Sequence, residues 1–254
     1  MKLGFIGTGK IAYSVVKGLC TSNIDDLNIS LSPRNNEISR HLTKTFTNVN
    51  RLETNQYVLD VSDIIFISVR PIDSKKVLHN LKFKDTHNLI SFVPFLKFSE
   101  LAESAKPAKK ISRAIPLPTV INHNCPIPIF NSNDTVIKIL SHIGEPLLID
   151  EENQLHTLWT LTGFIAPFYS MIRELSDWAI SNGVKEAVAN QYIVDMFYSL
   201  LFSNKKNSNV DFNELVKQAA TPNGMNEQAD KEIKEKRSYE AYKVAAENLL
   251  RRFK

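Results

Sequence analysis

Two short segments bring together residue types that can hold phosphate. The first is Gly7-Thr8-Gly9-Lys10-Ile11-Ala12, between the apolar run Leu3 to Ile6 and a helical pattern from Lys10 to Cys20 with Ile11, Val15 and Leu19 on one face. Gly-x-Gly-x-x-Ala at a strand-to-helix turn is an arrangement that seats a pyrophosphate. The first glycine allows the tight turn, the second lets backbone approach the ligand, and the alanine lets helix and strand pack closely. The helix N-terminus adds free N–H donors and a positive dipole end. Gly7, Thr8, Gly9, Lys10 and Ile11 are therefore candidate dinucleotide-binding residues. The second segment is Ser30-Leu31-Ser32-Pro33-Arg34-Asn35, at the end of the next strand pattern. A site for NAD usually carries an acid there, to hold the ribose 2′-hydroxyl. None is present, whereas Ser32, Arg34 and Asn35 suit a 2′-phosphate, the guanidinium fork in particular. The pattern predicts NADPH preferred over NADH. Glu37 falls inside the following helix, where a first-turn carboxylate favours the dipole. Val69-Arg70-Pro71 ends the run 63–69 at the strand's carboxyl edge, where ligands of open α/β sheets bind, and Arg70 either touches the cofactor or caps the next helix.

Other reactive types are sparse. No Ser/His/Asp constellation stands out, no catalytic side chain is assigned, and the spacing of the six histidines suggests no metal site. His123 and His156 read as surface or capping histidines. Tyr169, Arg173 and Asp177 recur at i, i+4, i+8 and read as an ion pair on a solvated helix face. Trp159 and Trp178 read as core or interface. Cys20 and Cys125 form no CxxC pair, which excludes a disulfide framework and fits a reducing cytoplasm.

The elements that must position these residues follow from periodicity. Strands are predicted at 3–6, 27–31, 63–69, 88–93 and 110–115, alternating with helices that include 10–20 and 37–46. The run Asp63-Ile64-Ile65-Phe66-Ile67-Ser68-Val69 marks a central strand buried on both faces. This predicts an α/β fold: a doubly wound parallel sheet of Rossmann type over residues 1–150. Strand signals then stop. Helices are predicted over 152–181, 185–202, 213–220 and 239–253, with a stop at Asn182-Gly183 and a polar loop at 204–209, so that 151–254 is an all-helical domain. With 43% hydrophobic residues and a net charge of only +4, a sizeable core is available and global disorder is excluded. The charge excess, confined to the first 150 residues, is too small for a nucleic-acid surface and fits an anionic small ligand. The N-terminus reads as a strand rather than a secretion signal, and the uncharged stretch 153–172 is too polar to span a bilayer.

The order of motifs resembles the pyrroline-5-carboxylate reductases over nearly the whole length. The carrying residues are Gly-Phe-Ile-Gly-Thr-Gly at 4–9, Asp-Ile-Ile-Phe-Ile-Ser-Val-Arg-Pro at 63–71 and Ser-Arg-Ala-Ile-Pro at 112–116. Leu-Thr-Gly at 161–163, Glu174 to Gly183 and Thr-Pro-Asn-Gly at 221–224 complete the set. The resemblance implies an NAD(P)H-dependent reduction of a small cyclic imine acid. It also implies a homodimer through the C-terminal helices, with higher assembly open, and a substrate pocket at the dimer interface. It carries substrate binding onto Pro116, Thr221, Gly224, Met225 and Asn226. Three departures concern the substrate half. Leu117 stands where the family has Asn, Phe164-Ile165-Ala166-Pro167-Phe168 is bulkier than the family's Ser-Gly-Pro-Ala-Tyr, and Met225 and Asn226 replace two threonines. Thr221-Pro222 also reads as a plain helix cap followed by proline at the first helical position. A different imine or keto acid, or a non-catalytic NADP-binding dimer serving as sensor or scaffold, is the alternative.

Overall fold

Buried β-branched and aromatic residues alternate with amphipathic helices from the first strand onward. The computed structural model describes residues 1–204 and 210–253. The first half runs β1 (Lys2–Ile6), α1 (Lys10–Cys20), β2 (Asn28–Leu31), α2 (Asn36–Thr45), β3 (Val49–Arg51), α3 (Asn55–Asp60), β4 (Ile64–Ile67) and α4 (Pro71–His79). It continues with β5 (Asn88–Ser91), α5 (Phe98–Ser104), β6 (Lys110–Ala114), β7 (Cys125–Phe130), α6 (Asp134–Ser141) and β8 (Gly144–Ile149). The strands form one sheet in the order β3-β2-β1-β4-β5-β6-β7-β8, a doubly wound arrangement.

The sheet is parallel from β3 through β6, as expected; beyond that, β7 pairs antiparallel with β6, while β8 pairs parallel with β7. The reversal needs only the short connection from 115 to 124, with a 3-10 turn at Pro118–Asn122, whereas a parallel partner would have required a crossover. The sequence hid β3, which is three residues long, and β7, whose Pro126 and Pro128 argue against a ladder strand.

Apolar side chains cover both faces of the sheet. On one, Leu3, Phe5 and Phe66 pack with Val15, Val16 and Leu19 of α1, and the rings of Phe5 and Phe66 stack at 4.4 Å. On the other, Ile6, Ile65 and Ile67 pack with Val58, Leu78 and Leu101 of α3, α4 and α5. Each such side chain contributes about 1.5–3 kcal/mol by leaving water. Together they fix the strand ends that carry the site.

The chain divides into two compact units, Met1–Trp159 with Phe253, and Thr160–Arg252. The division falls inside α7 (Glu152–Leu161). In the second unit lie α8 (Ile165–Ser181), α9 (Glu186–Asn204), α10 (Phe212–Ala219), α11 (Met225–Glu235) and α12 (Ser238–Leu250). The helix predicted over 152–181 is thus broken, by a 3-10 turn at Thr162–Phe164. Gly163 sits so close to α12 that a Cβ would lie 2.7 Å from Leu249 Cδ1. Asn182-Gly183 ends α8 as expected, with Gly183 at φ +91°. Arg173 bonds its neighbour Glu174 at 2.7 Å rather than Asp177, so the predicted ion pair has a different partner. Of the predicted polar loop 204–209, residues 205–209 lie outside the described residues. No described helix is long and apolar enough to cross a membrane.

Candidate dinucleotide site

Strands β1 and β4 are neighbours whose connections leave toward opposite edges of the sheet, and a crevice opens beyond their carboxyl ends. The glycine loop lies there. Gly7 has φ +99°, and a Cβ on it would stand 2.7 Å from the Ser68 backbone, so only glycine fits. Ser68 Oγ donates to the Gly7 carbonyl at 2.7 Å. The Gly7 N–H donates to Ser32 Oγ at 2.9 Å. Thr8 is buried, and its hydroxyl donates to the Arg34 carbonyl. The ends of β2 and β4 therefore clamp the loop from both sides.

Gly9 differs. It caps α1, is exposed, and a Cβ built on it meets nothing within 4 Å. Neither a capping side chain nor a first-turn acid covers this helix end, whereas Asn35 caps α2 through its side chain. Free N–H donors thus face the crevice. A cavity of about 350 Å³ lies against it, walled by Gly7, Thr8, Gly9, Arg34, Asn35, Ser68, Val69, Arg70 and Asp73. A second cavity of about 420 Å³ shares Arg34 and Asp73 and continues along Asn55 and Lys76. An uncapped helix end beside two arginines fits the pyrophosphate and 2′-phosphate of a dinucleotide.

Seven of the eleven residues expected to bind the cofactor line the first cavity. Ser32 does not; it is fully buried, and its hydroxyl braces Gly7 from behind. Lys10, Ile11 and Pro71 are not on its walls either. Lys10 and Glu37 line a separate cavity beside α1 with Tyr13 and His41. Arg70 occupies the cap position of α4 without a side-chain cap, and its guanidinium faces the cavity.

Sequence reasoning missed Asp73. It stands in the first turn of α4 and accepts from Arg70 Nε at 2.9 Å and from Arg34 Nη2 at 3.1 Å. Hydrogen bonding to Arg70, then the charge of Arg34, hold its carboxyl below the usual carboxylate range. The i, i+3 spacing to Arg70 was legible, but the bridge to Arg34 exists only in the fold. Arg51 was missed as well. It donates to the Pro33 carbonyl at 2.9 Å and to Asn36 Oδ1 at 2.6 Å, steadying the turn that carries Arg34.

The substrate candidates fall in both units. Pro116 is buried just past β6. In the second unit, Thr221 is not the helix cap the sequence suggested. Gly224 caps α11, and its N–H donates to the Thr221 carbonyl at 2.9 Å across a turn that holds Asn223 at φ +60°. Asn226 is exposed and donates to the Ala219 carbonyl at 3.2 Å, while Glu227 Oε2 accepts from the Asn223 N–H at 2.7 Å. Met225 is 88% exposed.

His123 is a capping residue as expected. Its Nε2 lies 3.0 Å from the Gly18 carbonyl and 3.1 Å from Thr21 Oγ1, at the end of α1. His156 is not a surface residue. Its Nε2 accepts from Arg113 Nη1 at 2.8 Å, and its ring stacks on Phe253 at 4.8 Å. Arg113 is fully buried, bonded to Glu152 and 5.2 Å above the Trp159 ring. Burial pushes the Cys20 thiol up to about 11, which leaves it unreactive. Among the described residues, no group of three His, Cys, Asp or Glu could hold a metal ion.

Sheet order, glycine loop and open α1 terminus define a dinucleotide-binding protein of Rossmann type. Residues 2–94 match the family model described as NADP oxidoreductase, coenzyme F420-dependent, and residues 152–254 match pyrroline-5-carboxylate reductase dimerisation. The chain belongs to the pyrroline-5-carboxylate reductase family. Similar proteins include the pyrroline-5-carboxylate reductase of Staphylococcus saprophyticus, 27% identical over 173 residues that span 64% of each chain. Among solved structures, that of the Streptococcus pyogenes enzyme superposes with a TM-score of 0.86 at 18% identity, covering 100% of this chain and 98% of the other. The Plasmodium falciparum enzyme with NADP bound gives 0.83 at 21% identity, covering 100% and 98%.

Proposed function

We propose that the chain is an NADPH-dependent reductase of a small cyclic imine acid, of the kind that converts pyrroline-5-carboxylate to proline. One observation carries the cofactor half: the Gly7–Gly9 loop and the uncapped end of α1 open on the same cavity as Arg34 and Arg70. Family membership supports the substrate half. A reduced nicotinamide bound there supplies a hydride. The chain binds and orients: backbone N–H groups of the glycine loop take the pyrophosphate, and Arg34 with Asn35 take the 2′-phosphate. A protonated imine already carries the charge that draws a hydride, so position and electrostatics suffice, and no side chain need act as nucleophile. The protein works as a homodimer through the helices after residue 160. The match to a dimerisation domain and the exposed apolar residues of α8 and α9 support this.

A second reading keeps the chemistry and changes the substrate. At the start of α11, the Asn226 amide is engaged by the Ala219 carbonyl, Glu227 already sets a carboxylate against the Asn223 N–H, and Met225 presents a thioether. That surface favours an imine without a carboxylate. The assay is loss of NADPH absorbance with pyrroline-5-carboxylate and, in parallel, with an acid-free pyrroline. Turnover at roughly 1–1000 per second with the acid supports the first reading. Turnover with the acid-free ring alone supports the second, and consumption with neither contradicts both.

A further inference from the structure

We propose that Asp73 is a specificity-determining residue of the dinucleotide site: its carboxylate competes with a cofactor 2′-phosphate for Arg34 and offers a 2′-hydroxyl the acceptor that the end of β2 lacks. The inference rests on the reading of the cavity as a dinucleotide site. Asp73 is the one acid on the wall of that cavity, and it borders the neighbouring cavity as well. It reaches Arg34 at 3.1 Å and Arg70 at 2.9 Å through the same oxygen, Oδ2.

Two cations and one anion leave a net single positive charge facing the cavity. A 2′-phosphate monoester brings nearly two negative charges. To bind Arg34 it must draw the guanidinium from Asp73 or sit beside a like charge, and either lowers its affinity. A ribose hydroxyl meets no such conflict. It is a donor, and the carboxylate is an acceptor that Arg34 and Arg70 hold in place. A carboxylate for the ribose ordinarily comes from the end of the second strand, which here ends in Ser32-Pro33-Arg34. In this chain α4 supplies it from across the crevice. Arg34 thus creates a preference for the phosphorylated cofactor, and Asp73 reduces it.

Calorimetric titration with 2′,5′-ADP and with 5′-AMP isolates the 2′-phosphate without turnover. Asp73→Asn is expected to bind 2′,5′-ADP about fivefold tighter, the scale of one partly exposed ion pair. It should bind 5′-AMP more weakly than wild type. Asp73→Ala should reproduce the gain for 2′,5′-ADP, which guards against a folding defect peculiar to one variant. In Arg34→Ala the gain should vanish, since the two groups act on each other. Unchanged or weaker 2′,5′-ADP binding in both Asp73 variants overturns the proposal, as does a gain that persists without Arg34. If Arg34→Ala weakens 2′,5′-ADP while Asp73→Asn does nothing, the dinucleotide reading stands and only the role of Asp73 falls. If wild type binds neither nucleotide, both fall.

Discussion

At the scale of single residues, Gly7 and Gly9 do different work, and the difference can be measured. Gly7 answers to the fold, because its φ of +99° and the Ser68 backbone 2.7 Å from a would-be Cβ exclude any side chain. Gly7→Ala is expected to cost at least about 2 kcal/mol, with a clear fall in melting temperature. Gly9 answers to the ligand, since a Cβ there meets nothing within 4 Å. Gly9→Ala should melt with wild type yet bind NADP+ about tenfold more weakly, because its methyl group occupies the approach of the pyrophosphate. Equal NADP+ affinity in Gly9→Ala would remove the loop from the site. That the glycines form the turn into α1 was legible from type and spacing alone; that Arg34 shares their cavity is added by the fold. Ser32 was misread because a hydroxyl at a strand end serves phosphate or backbone equally well, and only its burial decides. Asp73 was missed because its partner Arg34 lies far away along the chain.

At the scale of elements, β6 and α7 are joined by buried charge. Arg113, fully buried on β6, bonds Glu152 and donates to His156 on α7. Desolvation, then the charge of Arg113, hold the His156 ring below its ordinary 6.5. Desolvation, then Lys84, does the same to His87, whose Nδ1 accepts from the Lys84 N–H at 3.0 Å. As pH falls below 6.5 the unfolded chain therefore takes up protons that the folded chain resists. The stability from these histidines is complete above pH 6.5 and is lost below it. Melting temperature is expected to drop between about pH 7.5 and about pH 5.5, and His156→Gln should flatten that slope. A slope unchanged in His156→Gln would mean that its ring titrates alike in the folded and unfolded chain. Strands with continuous apolar runs, such as β4, were legible because nothing but double burial explains them. The helix over 152–181 was read as one piece because the interrupting turn at Thr162–Phe164 is imposed by α12, which lies more than eighty residues away in sequence.

At the scale of the whole molecule, the helical unit leaves large apolar groups in water. Trp178 is 67% exposed and Tyr192 69%, with Val188 and Val194 also exposed on α9. A helix apolar on several faces needs cover that its own unit does not supply. Sedimentation should give twice 28.8 kDa, and Trp178→Asp should shift the population toward monomer. A monomeric wild type would contradict the expected homodimer. The order of strands and then helices was legible because periodicity changes at the junction. The antiparallel β7 was not, because prolines disguise it. The proposed reaction moves a hydride from NADPH to a C=N bond. The most direct measurement uses NADPH with deuterium at both C4 positions, a cyclic imine, and mass spectrometry of the product. The expected product is a saturated ring that has gained one deuterium on the former imine carbon. Bound but unconsumed cofactor with both acid and acid-free imines would contradict it and leave a dinucleotide-binding protein without reductase activity.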